Sequence, residues 1–160
     1  GDGDLLSQGI DTLIHCGLRG ENITIICLNN LIMAAPGGQM SATTLRGQVT
    51  ATTPLGRSSS RTGSPFKAAE LIAKLPGVAF VQRVALHAPD FVRRAEIALK
   101  NAFLYQESGL GLSFIEVLGI CPPFWECTPV EAHERLKNEL LYQYPVGIYR
   151  QKTLKRMRKK

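Results

Sequence analysis

The sequence predicts an α/β fold: a mostly parallel sheet flanked by helices. Three observations carry that expectation. Short strand-length runs recur at Ile23 to Leu28, Val78 to Leu86 and Ser113 to Leu118. Helical segments separate them. Strands alternating with helices imply crossover connections, and crossovers of that kind build parallel sheets covered on both faces.

Each element has a local reason. Asp4 to Arg19 is apolar at Leu5, Leu6, Ile10, Leu13, Ile14 and Leu18, which is helical spacing, and Gly20 can end the helix. Ile23 to Leu28 is continuously apolar and reads as a strand buried on both faces, with Cys27 as a small buried hydrophobe. Asn29-Asn30 ends it. Pro36 to Pro65 is rich in Gly, Ser and Thr and has no period, so it reads as a long ordered loop, and loops of that length inside a compact domain are usually functional or disordered. Phe66 to Leu75 is a short helix closed by Pro76-Gly77. Pro89 opens a helix to about Glu107, with Pro in the first turn as expected. Pro122-Pro123 mark the loop after the third strand. Thr128, Pro129 and Glu131 form a capping-box pattern at the head of a last helix that runs to about Tyr142.

Composition bounds the function. The chain has 160 residues, 44% hydrophobic and 20% charged, which suits one domain with a sizeable core. Its net charge of +6 equals the six basic residues of Lys152 to Lys160, so the body is neutral. A nucleic-acid binder needs a basic folded face with interleaved aromatics, and none is present. Residues 150–160 instead read as a basic, disordered tail outside a domain spanning 1–149. No apolar run approaches the ~18 residues that span a bilayer. Four cysteines without Cys-x-x-Cys spacing argue against a self-contained zinc site and fit a reduced, cytoplasmic setting.

Chemistry concentrates at the start. Gly1-Asp2-Gly3-Asp4 precedes a helix, and Asn29-Asn30 follows a strand, with 25 residues between Gly3 and Asn29. Ligands of parallel sheets sit outside the carboxyl ends of the strands, where both segments belong. The glycines let the backbone approach a phosphate, and the following helix N-terminus favours an anion. Asp2 and Asn30 are hard oxygen ligands, the kind that magnesium takes together with substrate phosphates. Alone, Gly-Asp-Gly is a turn and Asn-Asn a strand terminator. Paired at this distance, they resemble the thiamine diphosphate motif. By that resemblance Asp2 and Asn30 bind magnesium through their side chains and Ile32 through its carbonyl, with Gly1, Gly3 and Asp4 beside the cofactor.

Further segments narrow the resemblance. Pro36-Gly37-Gly38-Gln39-Met40-Ser41-Ala42-Thr43-Thr44 is similar to the Gly-Gly-Gln loop of 2-oxoacid:ferredoxin oxidoreductase β subunits. Thr52-Thr53-Pro54-Leu55-Gly56 matches a Thr-x-Pro-Tyr/Leu-Gly stretch of that family. Glu116-Val117-Leu118-Gly119-Ile120-Cys121-Pro122-Pro123-Phe124-Trp125 resembles its Glu-Val-Leu-Ser-x-Cys-Pro-Thr-x-Trp segment. Thr128 to Ala132 and Tyr144 to Gly147 continue the likeness in order. It runs from Gly1 to about Tyr149 and lies nearest the 2-oxoglutarate type. The chain departs from the family at Pro36, where Thr is usual, at Met33-Ala34 and at Ala42.

The resemblance implies a thiamine-diphosphate-binding fold, here expected to lack its N-terminal part. It implies oxidative decarboxylation of a 2-oxoacid to an acyl-CoA, with electrons passed through iron–sulfur clusters to ferredoxin. Gly37, Gly38 and Gln39 join the cofactor-binding residues. An α subunit is expected to carry the pyrimidine-binding region and the activating acid, so no catalytic base is assigned here and the isolated chain is expected to be inactive. Cys121 matches a cluster cysteine, a role open to it only in a complete protein, because a four-iron cluster needs about four thiolates. A non-redox thiamine enzyme and a non-catalytic fragment that binds a partner subunit remain the alternatives.

Overall fold

The computed structural model describes residues 1–154. A π-helical turn, Asp4–Gln8, leads into α1, Ile10–Arg19. Then come β1 (Thr24–Asn29), α2 (Ser59–Thr62), α3 (Ala68–Ile72), β2 (Val78–Ala85) and α4 (Pro89–Glu107). They are followed by β3 (Leu112–Leu118), α5 (Pro122–Trp125), α6 (Pro129–Arg135), a π-helical turn at Leu136–Leu140, α7 (Leu141–Gln143) and β4 (Gly147–Gln151). The sheet order is β1-β3-β2-β4. β1 and β2 each run parallel to β3, whereas β4 is antiparallel to β2. The α/β fold expected from the sequence is the fold observed.

Helices cover the two faces unequally. On one face α4 lays Ala95, Ala98, Ala102 and Tyr105 over Phe80, Val84, Ile115 and Val117. The Phe80 and Tyr105 rings stack with centroids 5.0 Å apart. On the other face α1 and α3 pack Leu13, Ala68, Ala69 and Ile72 against Cys27, Val78, Val81 and Phe114. A third apolar cluster lies beyond the carboxyl ends of the strands. There Leu31, Ile32, Leu45, Trp125, Leu136, Leu140 and Tyr144 meet.

β1 departs from the expectation of burial on both faces. It is an edge strand, and α4 reaches only its beginning, where the Thr24 hydroxyl donates to the Ala102 carbonyl at 3.3 Å. Beyond that point Ile26 and Leu28 are 44% and 60% exposed, while Cys27 and Asn29 on the opposite face are buried. Burial pushes the Cys27 thiol pKa up, as suits an inert core cysteine.

The expected tail boundary also shifts. Arg150 and Gln151 belong to β4, pairing with Val81 and Phe80. The Arg150 guanidinium donates to the carbonyls of Ala73 and Leu75 at 2.7 and 2.9 Å. The Lys152 backbone N–H donates to Ala79 O at 2.9 Å, and its ammonium donates to Leu110 O. Basic side chains here satisfy backbone carbonyls rather than solvent, so residues 150–152 are part of the domain. The rest of the proposed tail, 155–160, lies outside the described residues. The capping box at Thr128 is formed as expected, with reciprocal bonds between Thr128 and Glu131. The helix it opens relaxes into a π-helical turn at Leu136.

Pro76-Gly77 does more than end α3. A Cβ at Gly77 would lie 2.3 Å from Gly20 N and 2.6 Å from Gly17 O, because the end of α1 passes directly over this turn. Gly77→Ala forces those backbones apart. The expected cost is that of overpacking, about 1–3 kcal/mol, read as a melting temperature lowered by several degrees in a circular dichroism melt. An unchanged melt would mean that the two turns separate freely.

Candidate functional site

The parallel strands deliver the site. Because β1 and β3 pair with Asn29 opposite Leu118, the loops after both strands leave the same end of the sheet. Gly1, Asp2, Gly3, Asp4, Asn30 and Ile32 come together there around a cavity of about 620 Å³, completed by Gln8, Leu28, Met33, Ala34, Ala35 and Pro36. Six of the sequence-predicted site residues thus share one cavity. Gly3 needs to be glycine, since a Cβ there would lie 2.1 Å from Met33 Cγ.

Asp2 is the chemical centre of this cavity. It is 2% exposed. The Ser41 and Thr43 hydroxyls both lie 2.6 Å from its Oδ2. Among the described residues no Lys, Arg or His forms an ion pair with it. Burial raises the Asp2 pKa above its ordinary value, against the opposing pull of those hydroxyls and of the backbone amides of Asp2 and Asn30. A buried carboxylate without a cationic partner is costly to keep charged, and a bound divalent cation would relieve that cost. Asn30 Oδ1 accepts the Ile32 N–H at 3.2 Å, closing a turn that holds the amide oxygen and Ile32 beside Asp2. No cluster of three His, Cys, Asp or Glu exists among the described residues. The donor set is instead one carboxylate, one amide oxygen and a main-chain carbonyl, which suits magnesium completed by waters and phosphate oxygens.

Leu31, between Asn30 and Ile32, takes a left-handed conformation with φ 64°. For a non-glycine residue this costs about 1–2 kcal/mol, so the surroundings must impose it. The Leu31 N–H donates to Asn29 Oδ1 at 3.1 Å. Its carbonyl accepts the Thr44 hydroxyl at 2.6 Å and the Gln48 amide at 3.3 Å. Its side chain is fully buried.

Behind the cavity lies a buried polar relay. The Thr43 hydroxyl shares its one proton between Asp2 Oδ2 and Asn29 Oδ1, the latter 2.9 Å away. The Asn29 amide donates to Glu116 Oε1 at 2.7 Å. Glu116 Oε2 accepts from Arg83 Nε at 2.8 Å. Arg83 also donates to both oxygens of Glu70 and to the Tyr149 hydroxyl. Burial pulls the Arg83 pKa down, but Glu70 and Glu116 more than offset it and the net direction is up. Burial likewise pushes Glu70 up, and Arg83 outweighs it, holding the carboxyl below its usual range.

The long loop 36–65 is ordered by side chains. Arg57, 5% exposed, donates to the carbonyls of Ala42, Thr44, Gly63 and Ser64. Tyr144 donates to Thr43 O at 2.7 Å. Gly37 and Gly38 open on a neighbouring cavity of about 650 Å³, with Gln48, Phe124, Trp125 and Arg135. Their N–H groups are used internally, donating to Ala34 O and Met33 O. Gly38, at φ 79°, also makes room for Phe124, whose Cδ1 would be 2.4 Å from a Cβ. Gln39 lines neither cavity; its amide donates to Pro36 O at 3.3 Å. Gly37 to Gln39 therefore shape the loop, and Pro36 is its one residue on the Asp2 cavity.

Cys121 lies at the start of α5, 9% exposed. Four residues on, Trp125 Nε1 donates to Asn30 O at 3.2 Å, which docks the Cys-Pro segment on the loop after β1. Cys127 packs against the same apolar cluster as Cys121. His87 sits past the end of β2, its ring 4.0 Å from that of Phe91 and its pKa lowered mainly by burial.

Sequence reasoning named the Ser41, Thr43 and Thr44 hydroxyls, placed Asn29 and Glu116 in motifs without giving either a role, and missed Leu31, Arg57 and Arg83. Arg83 and Glu116 left a signal: each is a lone charge within a strand that is otherwise buried, and such charges must pair.

Comparison with known proteins agrees with this geometry. Residues 1–117 match the family model described as "Thiamine pyrophosphate enzyme, C-terminal TPP binding domain". The chain is 39% identical over 153 residues to the ketoisovalerate oxidoreductase subunit VorA of Methanothermobacter thermautotrophicus, an alignment that covers 96% of this chain and 32% of that protein. It is 32% identical over 161 residues to the 2-oxoglutarate synthase subunit KorB of Methanothermobacter marburgensis, covering 97% of this chain and 50% of that one. The chain thus spans a third to a half of the relatives it matches. Its fold resembles that of 2-oxoglutarate:ferredoxin oxidoreductase from Magnetococcus marinus, with TM-score 0.70, 20% identity, and coverage of 97% of this chain and 56% of the other. With Asp2 and Asn30 within the matched residues, the chain belongs to the thiamine pyrophosphate enzymes through their C-terminal TPP-binding domain, and its relatives are subunits of 2-oxoacid oxidoreductases.

Proposed function

We propose that this chain is the thiamine-diphosphate- and magnesium-binding β region of a 2-oxoacid:ferredoxin oxidoreductase. In that role it works with partner subunits to convert a 2-oxoacid and coenzyme A to an acyl-CoA and reduced ferredoxin. The observation that carries the reading is Asp2, a buried carboxylate with no cationic partner among the described residues, sharing one cavity with Asn30 and Ile32. Asp2, Asn30 and the Ile32 carbonyl would hold magnesium, and the metal would tie the diphosphate to Gly1-Asp2-Gly3. When bound, thiamine diphosphate supplies the nucleophilic carbon and the electron sink. The residues of this chain bind and orient it. Among the described residues no Lys, Arg or His lines the Asp2 cavity, which supports magnesium as the group that meets the diphosphate charge there. The group that activates the aminopyrimidine is assigned to the α subunit.

The likeness of the motifs to the 2-oxoglutarate type supports 2-oxoglutarate as substrate. A branched-chain 2-oxoacid is the second reading, supported by the 39% identity to a ketoisovalerate oxidoreductase subunit. In the assembled enzyme, kcat/KM for 2-oxoglutarate should exceed that for 2-oxoisovalerate at least tenfold. The reverse order would assign the branched-chain substrate.

Asp2→Ala removes the only charged metal ligand. In the assembled protein it should weaken magnesium-dependent thiamine diphosphate binding more than tenfold, about 1.4 kcal/mol or above, in calorimetric titrations with and without magnesium. Unchanged affinity would end the assignment.

Cys121 is proposed as a ligand of an iron–sulfur cluster in the complete protein, with further thiolates from outside this chain. The support is its burial at the end of β3 and the docking of its segment on Asn30 through Trp125. Cys121→Ser should lower the iron and sulfide content of the reconstituted complete protein. Equal content in both would leave Cys121 a structural thiol.

A further inference from the structure

We propose that Glu116 is a positioning residue for the metal loop: it fixes the orientation of the Asn29 side-chain amide and, through it, the left-handed turn at Leu31 that carries Asn30 and Ile32 to the cavity. The inference rests on the magnesium–diphosphate reading above and extends it to residues that touch neither metal nor cofactor.

The argument is one of donor and acceptor polarity. Glu116 is fully buried, and both of its oxygens are engaged, Oε1 by Asn29 and Oε2 by Arg83. Arg83 can only donate, so the Glu116 oxygen facing it must accept. A carboxylate also accepts at its other oxygen, which obliges Asn29 to turn its NH₂ toward Glu116. The Asn29 carbonyl oxygen is thereby left facing the Leu31 N–H and the Thr43 hydroxyl, 3.1 and 2.9 Å away. Were the amide reversed, its NH₂ would confront the Leu31 N–H, donor against donor, at a buried backbone group. The bond that sustains a non-glycine residue at φ 64° would be lost. Asn30 and Ile32 flank Leu31 directly, so the placement of both metal oxygens depends on that turn.

The strands make this coupling possible. Cys27 stands opposite Glu116 in the parallel register, which brings Asn29, two residues on and on the same face of the sheet, within reach of the Glu116 side chain. Arg83 stands opposite Glu116 on its other side.

The test is a polarity swap in the complete protein with its partner subunits. Magnesium-dependent binding of thiamine diphosphate is titrated calorimetrically, beside thermal melts without cofactor. In Glu116→Gln, the side-chain oxygen must stay on Arg83, so its NH₂ meets the Asn29 NH₂, and metal-dependent affinity should fall about tenfold or more. In Asn29→Asp, two carboxylates face one another, and affinity should also fall. This second variant leaves the Arg83–Glu116 pair in place and reads the same contact should Glu116→Gln fail to fold. In the double variant Glu116→Gln/Asn29→Asp, the Gln NH₂ donates to the Asp carboxylate, which still accepts from Leu31 and Thr43, and affinity should recover most of the loss. Full affinity in either single variant, or no recovery in the double, overturns the proposal. If the unaltered protein shows no magnesium-dependent binding, the cofactor reading itself falls.

Discussion

The structure depends on a charge pair at the middle of its sheet. Arg83 and Glu116 sit on adjacent central strands with no solvent exposure of either side chain, 2.8 Å apart. Taking two charges out of water costs several kcal/mol per ion, and attraction offsets that only where every remaining polar atom finds a partner. Here they do. Arg83 donates further to Glu70, to Tyr149 and to the Pro145 carbonyl. Glu116 gives its second oxygen to Asn29. The pair therefore ties α3, β2, β3 and the chain entering β4 to β1, the strand that leads into Asn30 and Ile32. Removing Arg83 would leave the buried Glu116 carboxylate with the Asn29 amide but no cation, whereas loss of Glu116 would leave Arg83 still paired with Glu70.

From that pair the polar relay runs outward through Asn29 and Thr43 to Asp2, where it ends on a carboxylate that no cation among the described residues pairs with. Such an arrangement places the electrostatic deficit at the point where a metal is expected to bind. Burial penalises the Asp2 charge, and its hydroxyl neighbours supply direction without supplying charge. A divalent cation with a diphosphate would suit this environment, because the cavity lining among the described residues offers several oxygens and no aromatic face.

The loop 36–65 follows the same logic with different chemistry. It forms one short helical turn and has no strand of its own, yet its backbone carbonyls are gathered by a buried guanidinium at Arg57 and by the Tyr144 hydroxyl. Five guanidinium N–H groups in a planar fork can satisfy several carbonyls at once, which no lysine could reproduce. Trp125 and Phe124 then clamp the Cys-Pro segment onto Asn30 and Gly38. Motifs far apart in the chain meet because side chains, rather than backbone ladders, draw the loops together.

The sequence by itself determined the elements whose signals are local. The Pro89–Glu107 helix, the Thr128 cap and the three parallel strands were legible because capping, proline placement and apolar runs act within a few residues. That Asp2, Asn30 and Ile32 meet at one cavity was legible because the motif pairs a strand end with a helix start, and parallel strands send both to one end of the sheet. What only the tertiary structure decided were matters of partnership. The exposure of Ile26 and Leu28 follows from how far α4 reaches across the sheet. The docking of Arg150 and Lys152 follows from carbonyls left open at Ala73, Leu75 and Leu110. The separation of Gly37-Gly38 from the Asp2 cavity follows from their own turn and from Phe124. Each outcome rests on residues tens of positions apart, so their side chains acquire roles only when the sheet register brings them within hydrogen-bonding distance.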